Sequence, residues 1–204
     1  MDWLVPDCYR KLTPNRYWSE YKPEMIQSIE AVVYHYTASI GTGGTLSWLT
    51  DPTSKASAHF LSARDGTRYQ LAPLSDRTWH AGGNTSSLFG KQNVNGRTIG
   101  IEIMNVGPLY EKDGKIYTIA ENKEFNGPGM SGGPPKYQYE LWEAYAPLQI
   151  DDVIALTKQL VKEFPALATD PDRFLVGHED VDPSRKIDPA IAFPWQLIRD
   201  SIRT

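Results

Sequence analysis

Ionisable side chains gather in one short stretch, Arg173 to Trp195, where His178, Lys186 and Asp188 follow the strand-like run Phe174-Leu175-Val176 and its stop at Gly177. An imidazole, a fixed ammonium charge and a hard oxygen donor together suit a metal held beside a carbonyl group. The prolines of the stretch forbid regular structure and give a loop that is both rigid and polar. A lone His-to-Asp pair describes an ordinary solvated loop equally well, so partners elsewhere must decide. Of four histidines, His35 closes the run Ala31 to Tyr36, and His59 and His80 sit in Ser-Ala-His-Phe and Trp-His-Ala-Gly contexts. His35, His178 and Asp188 would give a tetrahedral zinc two imidazoles and a carboxylate, with a fourth position open to water. Taken singly, each histidine fits a core or surface role, and sequence distance alone does not bring the three together.

The elements that must position these residues are legible in part. Ala31 to Tyr36, β-branched and aromatic, reads as a strand whose period of two puts Ala31, Val33 and His35 on one face and Val32, Tyr34 and Tyr36 on the other. His35 then lies near a strand end, where sites gather in α/β sheets. Thr98 to Met104 reads as a second strand with Ile99, Ile101 and Ile103 on one face, which leaves Glu102 on the other and needing an explanation. Ser57 to Arg64 and Thr67 to Leu71 flank Asp65-Gly66, a hairpin signal. Thr45 to Thr50 reads as a short helix, and Leu148 to Phe164 carries apolar residues at helical spacing with Lys162 late. Pro194 suits the first turn of a terminal helix carrying Trp195, Ile198 and Ile202. The expected architecture is α/β: a single domain with a mixed central sheet flanked by helices. Residues 1–29 are expected to form an irregular arm. The catalytic domain spans 30–204, and the loop-rich insertion at 106–147 should border a groove.

With 204 residues the chain can bury a core without staples, and its single cysteine, Cys8, forms no internal bridge. A formal net charge of −4 argues against a nucleic acid as the main partner. No apolar run approaches the ~18 residues of a membrane span and no signal-peptide pattern opens the sequence, so a soluble, cytoplasmic product without membrane insertion is expected. Six Trp and eleven Tyr suit flat sugar or peptide surfaces, and suit a core just as well. A monomer is the favoured oligomeric state.

Separated motifs then fall in a known order: Tyr34-His35-Tyr36-Thr37, Ser57-Ala58-His59-Phe60, Trp79-His80-Ala81-Gly82, Ile99-Gly100-Ile101-Glu102, and Gly177-His178 through Arg185-Lys186-Ile187-Asp188-Pro189 to Phe193-Pro194-Trp195. Over about residues 30 to 200 the chain resembles the zinc-dependent N-acetylmuramoyl-L-alanine amidases. That family includes phage lysozyme-type amidases, muropeptide-recycling amidases and peptidoglycan recognition proteins. The resemblance implies one zinc ion held by His35, His178 and Asp188, with Glu102 acting on the water and Lys186 stabilising the oxyanion. It implies groove-shaping roles for His59, His80 and Trp79. Ala58 stands where some relatives carry a catalytic tyrosine, which leaves Glu102 as the matching base. The implied substrate is peptidoglycan or a muropeptide, cut between N-acetylmuramic acid and L-alanine; a phage-encoded enzyme would meet the wall after release. A non-catalytic peptidoglycan-binding module is the alternative, because the fold alone does not decide activity. A zinc peptidase is the weaker rival, since no His-Glu-x-x-His helix is present.

Overall fold

The computed structural model describes residues 8–17, 28–82, 86–131 and 138–203. In chain order the strands β1 (Tyr9–Arg10), β2 (Arg16–Tyr17) and β3 (Ala31–Tyr36) precede helix α1 (Thr42–Leu49). Next come β4 (Phe60–Ser62), β5 (Arg68–Gln70), β6 (Arg77–Thr78) and β7 (Thr98–Ile103). Then follow β8 (Pro108–Lys112), β9 (Lys115–Thr118), β10 (Gly129–Ser131) and β11 (Leu141–Glu143). The last part holds α2 (Pro147–Glu163), α3 (Pro171–Phe174), β12 (Leu175–Gly177), α4 (His178–Val181) and α5 (Trp195–Asp200).

Six strands make the central sheet in the order β1-β5-β4-β7-β3-β12. Pairing is parallel from β4 through β7 and β3 to β12, and antiparallel only at the β4–β5 hairpin, so the sheet is mixed as expected. Strands buried on both faces read as continuous apolar runs, which is why β3 and β7 carry so little polar content. On one face Val32, Tyr34, Ile99, Ile101 and Ile103 pack against Ile150, Val153, Leu156 and Leu160 of α2 and Ile198 of α5. On the other, Ala31 and Val33 pack with Val176, Val181, Leu88 and Val94. The alternation read from sequence therefore holds on both strands. Leu156 is fully buried, and truncating such a side chain to alanine removes about 2–5 kcal/mol. Pro147 starts α2, where its missing N–H costs nothing, and Lys162 lies in the last turn, where its charge opposes the helix dipole.

One expectation changes and another gains detail. The arm before residue 30 is not wholly irregular: Tyr9–Arg10 adds to the sheet edge parallel to β5, and Arg16–Tyr17 pairs antiparallel with β6. The loop-rich insertion is in addition held together by a four-stranded antiparallel sheet in the order β10-β11-β8-β9. Its β8–β9 hairpin turns at Asp113 and Gly114, both with positive φ (53° and 73°). Paired positive φ values at a two-residue Asp-Gly turn match the twist of the flanking strands. The insertion packs on the body through Trp142, which is buried with Ala190 against Tyr36, Tyr139 and Ile187.

Candidate metal centre and active site

Parallel pairing brings the principal side chains together. His35 on β3 stands opposite Glu102 on β7, so both project from the same face of the sheet. On the other side Tyr34 pairs with Gly177, and the chain continues directly into His178, the first residue of the one-turn helix α4. Gly177 has no room for a side chain: a Cβ there would lie 2.7 Å from Pro189 Cδ and 3.1 Å from the Asp188 carbonyl oxygen. That contact, with the Glu179 N–H donating to the Asp188 carbonyl at 3.0 Å, folds the Asp188 loop back over the strand end. Asp182 shapes the same loop; its carbonyl accepts from the Lys186 N–H at 2.9 Å, and its carboxylate accepts from Ser184 and Arg185.

His35 Nδ1 and His178 Nδ1 are 2.9 Å apart, and each lies 3.1 Å from Asp188 Oδ2. All three residues are buried. Two imidazole nitrogens and one carboxylate oxygen that face a common point form a cation-binding set, and among the described residues this is the group of His, Cys, Asp and Glu side chains that could hold a metal. The donors fit zinc in type and number. Burial is the main influence holding the His35 pKa down, to about 4, so its imidazole is neutral, the form a metal requires. Burial pushes the Asp188 carboxyl up, but its contacts with the His178 and His35 rings outweigh this and hold the group below the usual carboxylate range.

These three side chains open on a cavity of about 580 Å³, lined also by Glu102 and Lys186 as well as Trp48, Trp79, Ser39 and Arg185. Glu102 Oε2 is buried with no hydrogen-bond partner among the described residues. Burial first, and the Asp188 charge second, push its pKa up to about 8, with Lys186 opposing. A carboxylate raised to that range takes up and releases a proton near neutrality, as a general base must.

The resemblance also placed Trp79, His80 and His59 at the groove. Trp79 lines the cavity, its ring against Tyr17 at a centroid distance of 5.8 Å. His80 reaches the cavity but is mostly turned inward, with only 7 % of its surface exposed. His59 lies beneath the groove and outside its lining. Fully buried, it donates from Nε2 to the Asp76 carbonyl at 2.9 Å and accepts at Nδ1 from the Gly100 N–H at 3.0 Å. It braces β4, β7 and the 73–78 loop rather than meeting a ligand. The insertion, expected to border the groove, contributes no described residue to the cavity lining; it supports Tyr36 and Ile187 from behind. Trp48, 59 % exposed at the rim, went unassigned in the sequence because a tryptophan in a short apolar helix reads equally as core.

Residues 25–191 match the family model described as N-acetylmuramoyl-L-alanine amidase. The chain is 30% identical over 177 residues to the N-acetylmuramoyl-L-alanine amidase AmiD of Escherichia coli (strain K12), covering 83% of this chain and 52% of that protein. It is 29% identical over 145 residues to the 1,6-anhydro-N-acetylmuramyl-L-alanine amidase AmpD of Salmonella typhimurium (strain LT2), covering 71% of this chain and 56% of that protein. The chain thus spans little more than half the length of these relatives. The solved structure of the Escherichia coli AmiD in complex with anhydro-N-acetylmuramic acid-L-Ala-D-gamma-Glu-L-Lys superposes with a TM-score of 0.64 at 27% identity, over 86% of this chain and 58% of that one. With the family model spanning most of the chain and the fold shared with a solved member, the chain belongs to the N-acetylmuramoyl-L-alanine amidase family.

Proposed function

We propose that this chain is a zinc-dependent amidase that hydrolyses the bond between N-acetylmuramic acid and L-alanine in muropeptides. The observation that carries the proposal is the convergence, in one cavity, of His35, His178 and Asp188 with Glu102, whose Oε2 has no hydrogen-bond partner among the described residues, and the Lys186 ammonium. Family membership and the muropeptide named in the AmiD complex support the choice of bond and substrate.

His35, His178 and Asp188 would hold the ion, and a zinc bound there polarises the scissile carbonyl and makes water acidic enough to react near neutral pH. Glu102, beside His35 on the neighbouring strand, takes the proton of the attacking water and hands it to the departing L-alanine nitrogen. The water oxygen bonds to the lactyl carbonyl carbon, the C–N bond breaks, and the amine leaves neutral. Lys186 provides a fixed positive charge for the oxygen that becomes negative at the tetrahedral stage. The cavity shields these charges from bulk water and so strengthens each interaction.

The test is mass spectrometry of products from soluble anhydro-muropeptide and from purified sacculi, with zinc-loaded protein and with chelator-treated protein. Release of L-alanine-terminated stem peptide that is lost on chelation and restored by zinc is expected. Zinc-loaded, folded protein that binds muropeptide without releasing peptide would overturn the proposal in favour of a recognition module.

A further inference from the structure

His80 touches a metal-ligating side chain, yet the chemistry above gives it no task. We propose that His80 is a positioning residue that fixes the tautomer of His35, at the centre of a hydrogen-bond relay that runs from the backbone carbonyl of Val94 to the metal centre.

The sense of each bond follows from its far end. The Val94 carbonyl can only accept, so the Thr98 hydroxyl, 2.8 Å away, donates its one hydrogen there. Thr98 Oγ1 is left with lone pairs toward His80 Nε2 at 3.1 Å, so that nitrogen carries the proton and donates. A neutral imidazole has one N–H, and His80 Nδ1 is therefore bare. It accepts from His35 Nε2, 3.1 Å away. With a cation between the three side chains, His35 then has its proton on Nε2 and a lone pair on Nδ1, the atom that faces His178 and Asp188; without one, the Asp188 carboxylate, which can only accept, competes to keep a proton on Nδ1. One backbone carbonyl thus determines which nitrogen of His35 is free to bind a cation.

The relay is held rigidly at its middle. Asn95 Oδ1 accepts from the His80 and Ala81 N–H groups at 3.2 and 2.7 Å, and Asn95 Nδ2 donates to the Gly82 carbonyl at 3.0 Å. The His80 ring lies directly over Gly100, where a Cβ would fall 2.4 Å from the imidazole Cγ. The β7 position opposite Val33 is therefore a glycine because the relay occupies the space a side chain would take. His178 has no equivalent: its Nε2 has no hydrogen-bond partner among the described residues. Partners behind metal-ligating histidines typically change affinity 10–100-fold when removed.

The inference rests on the metal reading of the preceding subsection, and the experiment separates the two. Long-range proton–nitrogen NMR of histidine-labelled, zinc-loaded protein should show His80 protonated at Nε2 and bare at Nδ1. Chelator competition should show zinc affinity reduced about 10–100-fold in His80→Leu. His80→Asn, whose Oδ1 can stand in for the accepting Nδ1, should recover most of it. Thr98→Val keeps His80 but removes its acceptor; it should mix the His80 tautomers and weaken zinc binding. If His80→Leu does not fold, the wild-type NMR and Thr98→Val decide. The relay is overturned if His80 carries its proton on Nδ1 in zinc-loaded wild-type protein, or if folded His80→Leu binds zinc like wild type. Wild-type protein that binds no zinc would instead refute the metal site, and NMR of the His80 ring would still read its link to Thr98.

Discussion

His59 makes the stability of this protein depend on pH in a way that can be worked out beforehand. Its imidazole is fully buried and its burial holds the pKa down to about 3, against an ordinary value of 6.5. A lowered folded pKa means that the unfolded chain takes up the proton first, so stability is complete above about pH 6.5 and is lost as pH falls toward about 3. The loss is about 1.4 kcal/mol per pH unit, or about 2 kcal/mol between pH 7 and pH 5 from this residue alone. His59→Gln removes the titration. It also leaves the Gly100 N–H without its acceptor, a cost of about 1–3 kcal/mol at pH 7. Urea unfolding of metal-free wild type and variant at both pH values isolates the effect, because the other buried groups are common to both proteins. The stability gap between them should narrow by about 2 kcal/mol at pH 5. A gap that stays the same at the two pH values would show that His59 does not resist protonation, and the reasoning would fail.

Glu102→Gln retains the side-chain shape but cannot take a proton from water, so metal content should persist while turnover of muropeptide falls by ~10²–10⁴-fold; near-native turnover at full zinc occupancy would remove Glu102 from the mechanism. Lys186→Ala should likewise spare the metal and lower turnover roughly 10²–10³-fold, read at saturating substrate. The Glu143 carboxylate accepts from Arg64 at 2.6 and 2.8 Å and from the Val106 N–H, while Arg64 also donates to the Ile40 carbonyl at 2.8 Å beside the cavity. Glu143→Ala should therefore cost about 1.5–3 kcal/mol in urea unfolding. The double variant with Arg64→Met should recover part of it, because the second change removes the stranded charge.

Much of this site could be read in the sequence because strand alternation is a local rule. The period of two placed His35 and Glu102 on their faces, and adjacent parallel strands turned two facing assignments into a contact. The convergence of His178 and Asp188 came from the ordered motifs; no local pattern in this chain shows that β12 pairs with β3. His59 and His80 were expected at the groove, since a histidine's context does not reveal which way its ring turns. That is settled by partners far along the chain, such as Asp76 and Gly100 for one ring and Thr98 and His35 for the other. The short strands of the loop-rich insertion were not read because its Gly, Pro and charge content masked them, although Asp113-Gly114 is the same kind of turn signal as Asp65-Gly66.

The pairing of β3 with β12 also sets an order of events during synthesis. His35 and His178 are 143 residues apart, and at roughly 5–20 residues per second the ribosome needs about 7–30 s to make the stretch between them. For that time β3 exists without its β12 neighbour. Its edge would be open to other chains, a hazard that proteins with such long-range strand pairing share. The set of side chains that could hold a metal is complete only when Asp188 has also emerged, so the nascent chain cannot form the site early. Catalytic competence would arrive together with closure of the sheet.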